Sequence, residues 1–342
     1  MAKNKTIPYK ELLKLVRQKL EGAGIGKEHA FLAAEAICTA SLRGTDTHGI
    51  RLLPHYLQAI KSGRINNKAK FVFKKTSHST GILDADHGIA HAALAIAMDY
   101  AIKLAKKSGT GFVSVKNSNH CGAMAYYALR ACKQDMIGLA FTNATPTLQT
   151  FNSSKIFFGT NPICFTAPMQ GEEPFCYDAS PSVMSKHKLN ILVKQGKEIA
   201  PGIAADERGE MTTNPNLVKM LIPLGGALAG YKGLGMTMMA DILCSLLSGM
   251  PGGKDVTQMY ESGGANISDK RYLGQFVGAI RIDAFTDLKR FKKRLKETAD
   301  AVRSLPKVKG AKVDVMIPGD PEKKMEKERL LKGIFVAKNL FK

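Results

Sequence analysis

The 342-residue sequence contains no uninterrupted apolar stretch of about 18 residues, the length that a membrane-spanning helix needs. Its most apolar region, residues 221–250, is interrupted by Lys232 and Asp241. The first residues also lack the apolar core of a secretory signal. The sequence therefore predicts a cytoplasmic protein with no membrane segment.

Cysteine pairs of the Cys-x-x-Cys type are also missing. The six cysteines lie at positions 38, 121, 132, 164, 176 and 244, mostly within apolar runs. This pattern favours buried free thiols in a reducing compartment over disulfides or a zinc site. Cys121 adjoins His120, but residues adjacent in sequence are poorly placed for a nucleophile–base hydrogen bond, which disfavours cysteine catalysis.

Several common motifs of ligand binding and catalysis do not occur. The sequence has no Gly-x-Gly-x-x-Gly, no Gly-x-x-x-x-Gly-Lys-Ser/Thr, no His-Glu-x-x-His and no Gly-x-Ser-x-Gly. Their absence argues against a Rossmann dinucleotide domain, a P-loop and a serine hydrolase. His87 and His91 lie four residues apart, but we expect them to face solvent or to cap a helix, so no metal site is predicted.

Acidic residues are scarce relative to basic ones, and the formal net charge is +21 with an isoelectric point near 9.7. Such a charge raises the alternative of a nucleic-acid-binding protein. The basic residues are spread along the chain, however, and the basic C-terminal region lacks an interleaved set of aromatic residues for base stacking. We therefore expect a solvated basic surface that attracts small anionic substrates, and consider nucleic acid an unlikely partner.

What is present is an alternation of helical and extended patterns, with no internal repeat. Apolar spacing predicts helices at 9–20, 27–42, 55–62, 90–107, 123–132, 236–247, 288–305 and 322–341. Short apolar runs predict strands at 71–74, 80–83, 111–115, 136–142, 163–168, 175–178, 274–282 and 313–317, with an irregular stretch at 190–215. This order predicts the α/β class.

Polar loops follow several of the predicted strands, as on the catalytic face of an α/β sheet. The loop at residues 117–122 carries His120, whose imidazole can exchange a proton near pH 7. A histidine here can instead cap the helix that follows, and this segment alone leaves both interpretations open. The loop at residues 178–182 begins with Asp178.

Lys232 stands among five glycines in residues 223–235, before a predicted helix. Backbone N–H groups and an ammonium at a helix start form a good site for phosphate or carboxylate. The alternative is a glycine-rich packing turn with a solvated lysine. Together, His48, His120, Arg51, Asp178 and Lys232 suit proton transfer beside an anionic substrate.

Five spaced motifs then match a known family in order. They are Asp46-Thr47-His48-Gly49-Ile50-Arg51 with Tyr56; Asn119-His120-Cys121-Gly122 with Tyr126-Tyr127; Gly159-Thr160-Asn161-Pro162; Tyr177-Asp178-Ala179-Ser180; and Tyr231-Lys232-Gly233-Leu234-Gly235. The sequence resembles the type 2 malate/L-lactate dehydrogenase family, which includes ureidoglycolate, sulfolactate, diketogulonate and cyclic-imine carboxylate reductases. The resemblance extends from about residue 9 to residue 318.

The resemblance implies an oxidoreductase that uses NAD or NADP and transfers hydride between the cofactor and a small 2-hydroxy or 2-oxo acid. It implies a homodimer with a non-Rossmann mixed sheet flanked by helices, as in sulfolactate dehydrogenase. We expect a helical subdomain at 1–74 plus 286–342, a cofactor-binding core at 75–125 plus 215–285, and a substrate or inserted subdomain at 126–214. Alternatives are a cyclic ketimine carboxylate reductase, or a catalytically impaired member.

The resemblance also assigns site residues. His120 and His48 match the proposed proton donors or acceptors, whereas Arg51, Tyr56, Thr160 and Asn161 are expected to bind substrate. The residues expected to bind cofactor are Asp178, Ala179, Ser180, Lys232, Gly233, Pro318, Gly319 and Asp320.

This chain departs from the family pattern at the position of a carboxylate-binding arginine. The family usually has that arginine four residues after the first histidine, where this chain has Leu52, and Arg51 lies one place earlier. One residue on a helix is a rotation of roughly 100 degrees, so Arg51 is expected to point differently. Further departures are at Asn152, Ser153, His187, Tyr231 and Leu234.

Overall fold

The computed structural model describes residues 5–261, 264–337 and 340. The helices are α1 (Tyr9–Gly22), α2 (Lys27–Leu42), α3 (Leu53–Lys61), α4 (Ala90–Ser108), α5 (Ala125–Cys132), α6 (Lys186–Lys194), α7 (Gly226–Asp241), α8 (Leu288–Arg303) and α9 (Asp320–Lys332). The strands are β1 (Lys5–Ile7), β2 (Val72–Lys75), β3 (Thr80–Asp84), β4 (Thr110–Ser118), β5 (Met136–Thr142), β6 (Leu148–Gln149), β7 (Ile156–Phe158), β8 (Ile163–Ala167), β9 (Phe175–Ala179), β10 (Ala204–Ala205), β11 (Met220–Leu221), β12 (Tyr260–Glu261), β13 (Gly264–Ala265), β14 (Leu273–Arg281) and β15 (Ile334–Val336).

A seven-stranded mixed sheet forms the centre of the molecule, in the order β2-β3-β4-β14-β5-β8-β9. Strands β3 and β4 are parallel, whereas the other neighbouring pairs are antiparallel. It follows that β3, β4, β5 and β9 run in the same direction and that their carboxyl ends meet at one edge. The polar loops that follow β4, β5 and β9 therefore share that edge, as the sequence predicted.

Helices α1, α2, α4 and α5 and one face of the sheet enclose the main apolar core. Helix α4 is rich in buried alanines, so its backbone approaches the sheet closely. Gly111 on β4 permits this approach, because a Cβ there would lie 2.0 Å from the carbonyl oxygen of Ala101. The other face of the sheet packs against the end of α7 and a turn of π-helix at Ile242–Leu246.

A second, four-stranded sheet has the order β10-β11-β6-β7 and packs with α6 around Leu148, Leu189, Ile199 and Leu221. Of the region predicted as an inserted subdomain, 126–214, strands β6, β7 and β10 lie in this small sheet. Strands β5, β8 and β9 lie in the central sheet. The domain boundaries therefore remain a prediction.

Three predicted elements differ from the structure. Residues 313–317 form no strand, and residues 190–215 include the end of α6. The predicted helix 322–341 ends at Lys332, because Gly333 adopts φ +83 and terminates it. Strand β15 then pairs with β1; residues 338, 339 and 341 lie outside the described residues.

Helix α7 begins ten residues before the predicted start at residue 236. Its Ala229 has non-helical backbone angles (φ −134, ψ 20), so the helix is broken there and resumes before Lys232. Among the described helices, none combines the length and apolar character required to cross a bilayer.

Candidate active site

His120 lies in the loop between β4 and α5, at the sheet edge where the polar loops meet. The preceding residue, Asn119, is buried and donates hydrogen bonds to the carbonyl oxygens of His87 (2.9 Å) and Gly88 (3.0 Å). Gln275 on β14 donates to the Asn119 carbonyl oxygen at 3.0 Å. These bonds hold the backbone on the amino side of His120 in place.

Tyr56 and His48 come to His120 from another part of the chain. His48 ends the 3-10 turn Asp46–His48 between α2 and α3, and Tyr56 lies on α3. The Tyr56 hydroxyl is 2.8 Å from Nδ1 of His120, and the two imidazole rings are stacked with centroids 5.7 Å apart. The N–H of Gly122 also donates to Nδ1 at 3.4 Å, so the other ring nitrogen, Nε2, is the one left for a substrate.

The cap of helix α5 is Asp178, not His120. A carboxylate oxygen of Asp178 accepts a hydrogen bond from the N–H of Ala125, the first residue of α5, at 2.8 Å. This bond occupies an N-terminal donor that the histidine would otherwise have satisfied. The structure therefore assigns this cap to Asp178 and favours the interpretation of His120 as a site residue.

Burial shifts the pKa values of His120 and Asp178. Removal from water lowers the pKa of His120 well below its usual value, and the neighbouring His48, His91 and Arg271 lower that pKa further. Burial raises the pKa of Asp178 to about 6. The neutral imidazole is therefore the favoured form of His120 near pH 7.

Sequence analysis did not identify two arginines that share a small pocket with His120. Arg64 and Arg271 are buried, and the pocket is completed by His55, Tyr56, Ala59, Ile65 and Asn119. Arg271 also donates to the hydroxyl of Thr145 at 2.8 Å. The sequence could have indicated Arg271, because it lies two residues before β14 and that end of β14 meets the carboxyl end of β4. No comparable sequence feature indicated Arg64.

A larger cavity of about 360 Å³ lies on the other side of the residues that follow His120. It brings together three of the predicted cofactor-binding residues: Asp178, Pro318 and Gly319. Further lining residues are Thr39, Arg43, Ala123, Ala125, Tyr126 and Glu322. Gly319 has φ +96, and a Cβ there would lie 3.0 Å from the Cys176 carbonyl oxygen, so glycine keeps this wall open.

Other predicted cofactor-binding residues lie near this cavity or apart from it. Asp320 accepts from Arg303 at 2.6 and 2.9 Å and from the N–H of Ile317, so its carboxylate braces the turn that carries Pro318. Ala179 is the last residue of β9 and Ser180 follows it, where its hydroxyl forms a hydrogen bond with that of Ser182. Gly233 is buried, whereas Lys232 is exposed on α7 and does not line the cavity.

The predicted substrate-binding residues are dispersed. Arg51 is exposed and does not line the His120 pocket, and Thr160 is half-buried. Asn161 is fully buried: its side-chain oxygen accepts from the N–H of Ala144 at 2.9 Å, and its amide donates to the Thr237 carbonyl oxygen. Of these predictions, Tyr56 is the residue that the structure places against His120.

The expectation that His87 and His91 face solvent or cap a helix is wrong. Both are buried, and His91 makes an edge contact with the Tyr56 ring at 4.7 Å. Among the described residues, neither ring nitrogen of His91 has a hydrogen-bond partner. The six cysteines are buried and free. The side chain of His187 lies outside the described part of the chain.

Comparison with known proteins identifies the family. The model of the malate/L-lactate dehydrogenase family matches residues 7–342. A malate dehydrogenase of Pyrococcus abyssi is 36% identical over 304 residues, which cover 87% of this chain and 82% of the relative. A ureidoglycolate dehydrogenase (NAD(+)) of Escherichia coli O157:H7 is 30% identical over 330 residues, 96% of this chain and 92% of the relative.

A solved structure has the same fold. The sulfolactate dehydrogenase of Methanocaldococcus jannaschii superposes with a TM-score of 0.89 at 29% identity, over 98% of this chain and 94% of that one. The prediction of a non-Rossmann mixed sheet flanked by helices is thus confirmed, as is the family inferred from the motifs. The chain belongs to the malate/L-lactate dehydrogenase family and is an oxidoreductase of the dehydrogenase type.

Proposed function

We propose that this protein is an NAD- or NADP-dependent enzyme that interconverts a small 2-hydroxy acid and its 2-oxo acid, with His120 as the proton-transfer group. The supporting observation is the Tyr56–His120–His48 alignment beside a pocket that contains two buried arginines. A named relative is NAD(+)-dependent and another acts on malate, which fits this assignment.

His120 exchanges the hydroxyl proton. When Nδ1–H donates to the Tyr56 oxygen in place of accepting the long 3.4 Å bond from the N–H of Gly122, the lone pair on Nε2 is available as a base. When Nε2 takes the proton of a 2-hydroxy acid, the imidazolium that results still donates from Nδ1 to Tyr56. In the reverse direction this imidazolium returns the proton to the oxygen of a 2-oxo acid. His48, stacked on His120, orients the substrate from the opposite loop.

Arg64 and Arg271 hold the substrate carboxylate, for which their pocket must widen from its volume of about 10 Å³, the space of one water molecule. A guanidinium binds a carboxylate through two parallel N–H···O bonds, and burial strengthens such pairs. This role matters here because Leu52 occupies the family's usual arginine position and Arg51 is exposed. The positive field of Arg271 also lowers the pKa of His120. A bound carboxylate offsets that field and so raises the basicity of His120 when substrate is present.

The large cavity suits a nicotinamide dinucleotide. When bound, the cofactor supplies or accepts the hydride that the protein's own side chains cannot provide. Gly319 leaves space where a Cβ would meet Cys176, and it precedes α9, whose N-terminal N–H groups favour an anionic group. Ala123 and Ala125 line the cavity and follow His120 by three and five residues, which places the proton-transfer group close to this wall.

A homodimer is the expected assembly. Helix α7 and the π-turn expose apolar side chains at three- and four-residue spacing, which forms one face: Leu228, Tyr231, Met238, Met239, Ile242 and Leu246. Leu228 is 94% exposed and Leu246 70%. A second copy of the chain is the occupant that this face fits, since exposed patches of this kind mark protein interfaces. Lys232 lies next to Tyr231 of this face and is exposed, so in the dimer it is placed to contribute to the cofactor site of the second copy.

The free buried thiols support a cytoplasmic location. All six cysteines are reduced and buried, and a compartment that maintains thiols suits such a chain. The basic surface then attracts small anions rather than a nucleic acid.

The enzyme assignment is tested by mixing the protein with NADH or NADPH and a panel of 2-oxo acids and cyclic ketimine carboxylates. The absorbance of the reduced nicotinamide reports turnover. We expect oxidation with at least one 2-oxo acid and one of the two cofactors. Turnover of the cyclic imines alone would transfer the assignment to the ketimine reductases. No oxidation with any substrate would indicate a catalytically impaired member and overturn the proposal.

A further inference from the structure

A bidentate ion pair between Asp46 and Arg329 connects the turn that carries His48 to helix α9. Both terminal nitrogens of Arg329 approach the Asp46 carboxylate, at 2.6 and 2.8 Å. The two residues are 283 positions apart in sequence, and their side chains are largely shielded, with 16% and 28% of the side-chain surface exposed. Two parallel bonds to one carboxylate define direction as well as distance.

The same arginine also holds the chain segment that leads into the turn. Arg329 donates to the carbonyl oxygen of Ser41, near the end of α2. The Ser41 hydroxyl in turn accepts from the N–H of Ile50 at 2.8 Å. The 3-10 turn Asp46–His48 is therefore fastened on both sides by contacts that converge on Arg329 and Ser41.

Helix α9 connects this clamp to the large cavity. Gly319, which precedes α9, and Glu322 in its first turn line the cavity, whereas Arg329 lies in its last turn. Arg303 braces the first turn through Asp320, so the helix is held at both ends. A rigid element thus links the wall of the cavity to the turn that carries His48.

We propose that Arg329 and Asp46 are positioning residues that hold the His48 ring against His120. This inference rests on the proposed function, because it gives His48 a role in the same reaction. Neither residue lines the large cavity or the His120 pocket. Their effect is exerted through the backbone of the 3-10 turn, which places His48 at its stacking distance of 5.7 Å from His120.

Loss of the clamp should change turnover more than binding. A displacement of about 1 Å in a catalytic group can reduce the rate on the order of 100-fold. The carboxylate-binding arginines lie on other elements, and the part of the cavity wall at the start of α9 is held by Arg303, at the opposite end of the helix from Arg329. We therefore expect Arg329→Ala and Asp46→Asn to reduce kcat by roughly 10- to 100-fold, with KM and the cofactor dissociation constant within about twofold of the wild-type values.

The matched control is Lys332→Ala. Lys332 forms an exposed ion pair with Glu328 at 2.9 Å on the same helix, so this change removes a cation from α9 without touching the turn. We expect wild-type kinetics for this variant. The double variant Asp46→Asn/Arg329→Ala should be no slower than the slower single variant, because the two residues act as one unit.

Two measurements separate positioning from a general structural role. Millimolar guanidinium added to Arg329→Ala should restore part of kcat, because the ion can occupy the vacated position beside Asp46. Hydrogen exchange followed by mass spectrometry should show faster exchange in residues 45–50 of Arg329→Ala and unchanged exchange in the central sheet. The second measurement does not depend on turnover.

Three results would overturn the inference: an unchanged kcat in Arg329→Ala, a loss of cofactor binding in proportion to kcat, or no response to guanidinium together with faster exchange throughout the sheet. Failure of the proposed function is distinguishable, since it appears as absence of turnover in the wild-type protein. In that case the exchange of residues 45–50 alone decides whether the clamp exists.

Discussion

Tyr56 contacts Nδ1 of His120, and this hydrogen bond decides which imidazole nitrogen is left for a substrate. A tyrosine hydroxyl can donate or accept, so it adapts to both protonation states of the ring. The edge contact between Tyr56 and the buried His91 fixes the phenol ring from behind. At the residue scale, the candidate site is thus a hydrogen-bonded pair, Tyr56 and His120, whose phenol ring packs against the edge of His91.

Replacing His120 by Asn should abolish most of the turnover. An amide keeps a polar group of similar size but cannot accept the substrate proton, and general acid–base catalysis contributes about 10²- to 10⁴-fold. We expect kcat to fall by that order with the cofactor affinity retained, as measured by nicotinamide absorbance and fluorescence titration. His78→Asn is the control, since His78 is exposed on a turn between β2 and β3. Equal rates for His120→Asn and wild type would remove the assigned role.

Buried histidines should make the protein sensitive to mild acid. Burial lowers the pKa of His91 to about 3 and that of His55 to about 4, below the unfolded value of 6.5. A group whose folded pKa is depressed in this way binds protons more readily when unfolded, so stability is complete above pH 6.5 and declines as the pH falls toward 4. Asp178, with its pKa raised to about 6, acts in the opposite direction between about pH 4 and 6.

Thermal unfolding midpoints between pH 7.5 and 4.5 test this linkage. We expect the midpoint to fall as the pH falls. The underlying free energy of unfolding should decrease by up to about 1.4 kcal/mol per pH unit for each histidine, below its unfolded pKa. His91→Leu should flatten the dependence, because it removes one of the contributing groups without leaving a large cavity. A His91→Leu profile as steep as that of the wild type would assign the effect to other residues.

At the scale of single elements, α5 shows how one side chain serves a structural and a chemical site. Asp178 caps α5 through the N–H of Ala125 and also lines the large cavity. The helix begins only a few residues after His120, so the cap also limits movement of the loop that carries this histidine. By capping α5, Asp178 therefore contributes to the geometry of both the His120 loop and the large cavity.

Removing this cap should destabilise the protein measurably. We expect Asp178→Ala to lower the free energy of unfolding by about 1 kcal/mol, the usual contribution of an N-terminal cap. Asp178→Asn retains an oxygen acceptor, so its stability should remain close to that of the wild type. Urea denaturation of both variants provides the comparison. Equal stability of the alanine variant and the wild type would show that the bond to Ala125 contributes nothing.

At the scale of the whole molecule, the exposed face of α7 and its π-turn predicts association. Leu246→Glu places a charge on the apolar face, at its C-terminal end, and burying an unpaired carboxylate in an interface is costly. We expect the wild type to sediment as a dimer and this variant to sediment as a monomer. Leu331→Glu, at an exposed position on α9, is the control and should leave the assembly unchanged. A monomeric wild type would contradict the proposed interface.

The sequence by itself determined those features that depend on neighbouring residues. Helix α2 and strand β5 have the predicted bounds, because apolar periodicity and turn residues are local signals. The spaced motifs also identified the family and the two histidines before the structure was considered. The strand predicted at 313–317 does not form. The terminal helix was predicted too long, because Gly333 ends it and the following residues pair as β15 with β1, more than 300 positions away.

Only the tertiary structure decided which side chains share a site. Chain folding brings His48, Tyr56 and His120 together, places Arg64 and Arg271 beside them and leaves Arg51 exposed. It also assigns the cap of α5 to Asp178 and joins Arg329 to Asp46. Hydrogen bonds and ion pairs of this kind act over a few ångströms, whereas their partners are separated by up to 288 residues in sequence, so no local pattern in the sequence records them.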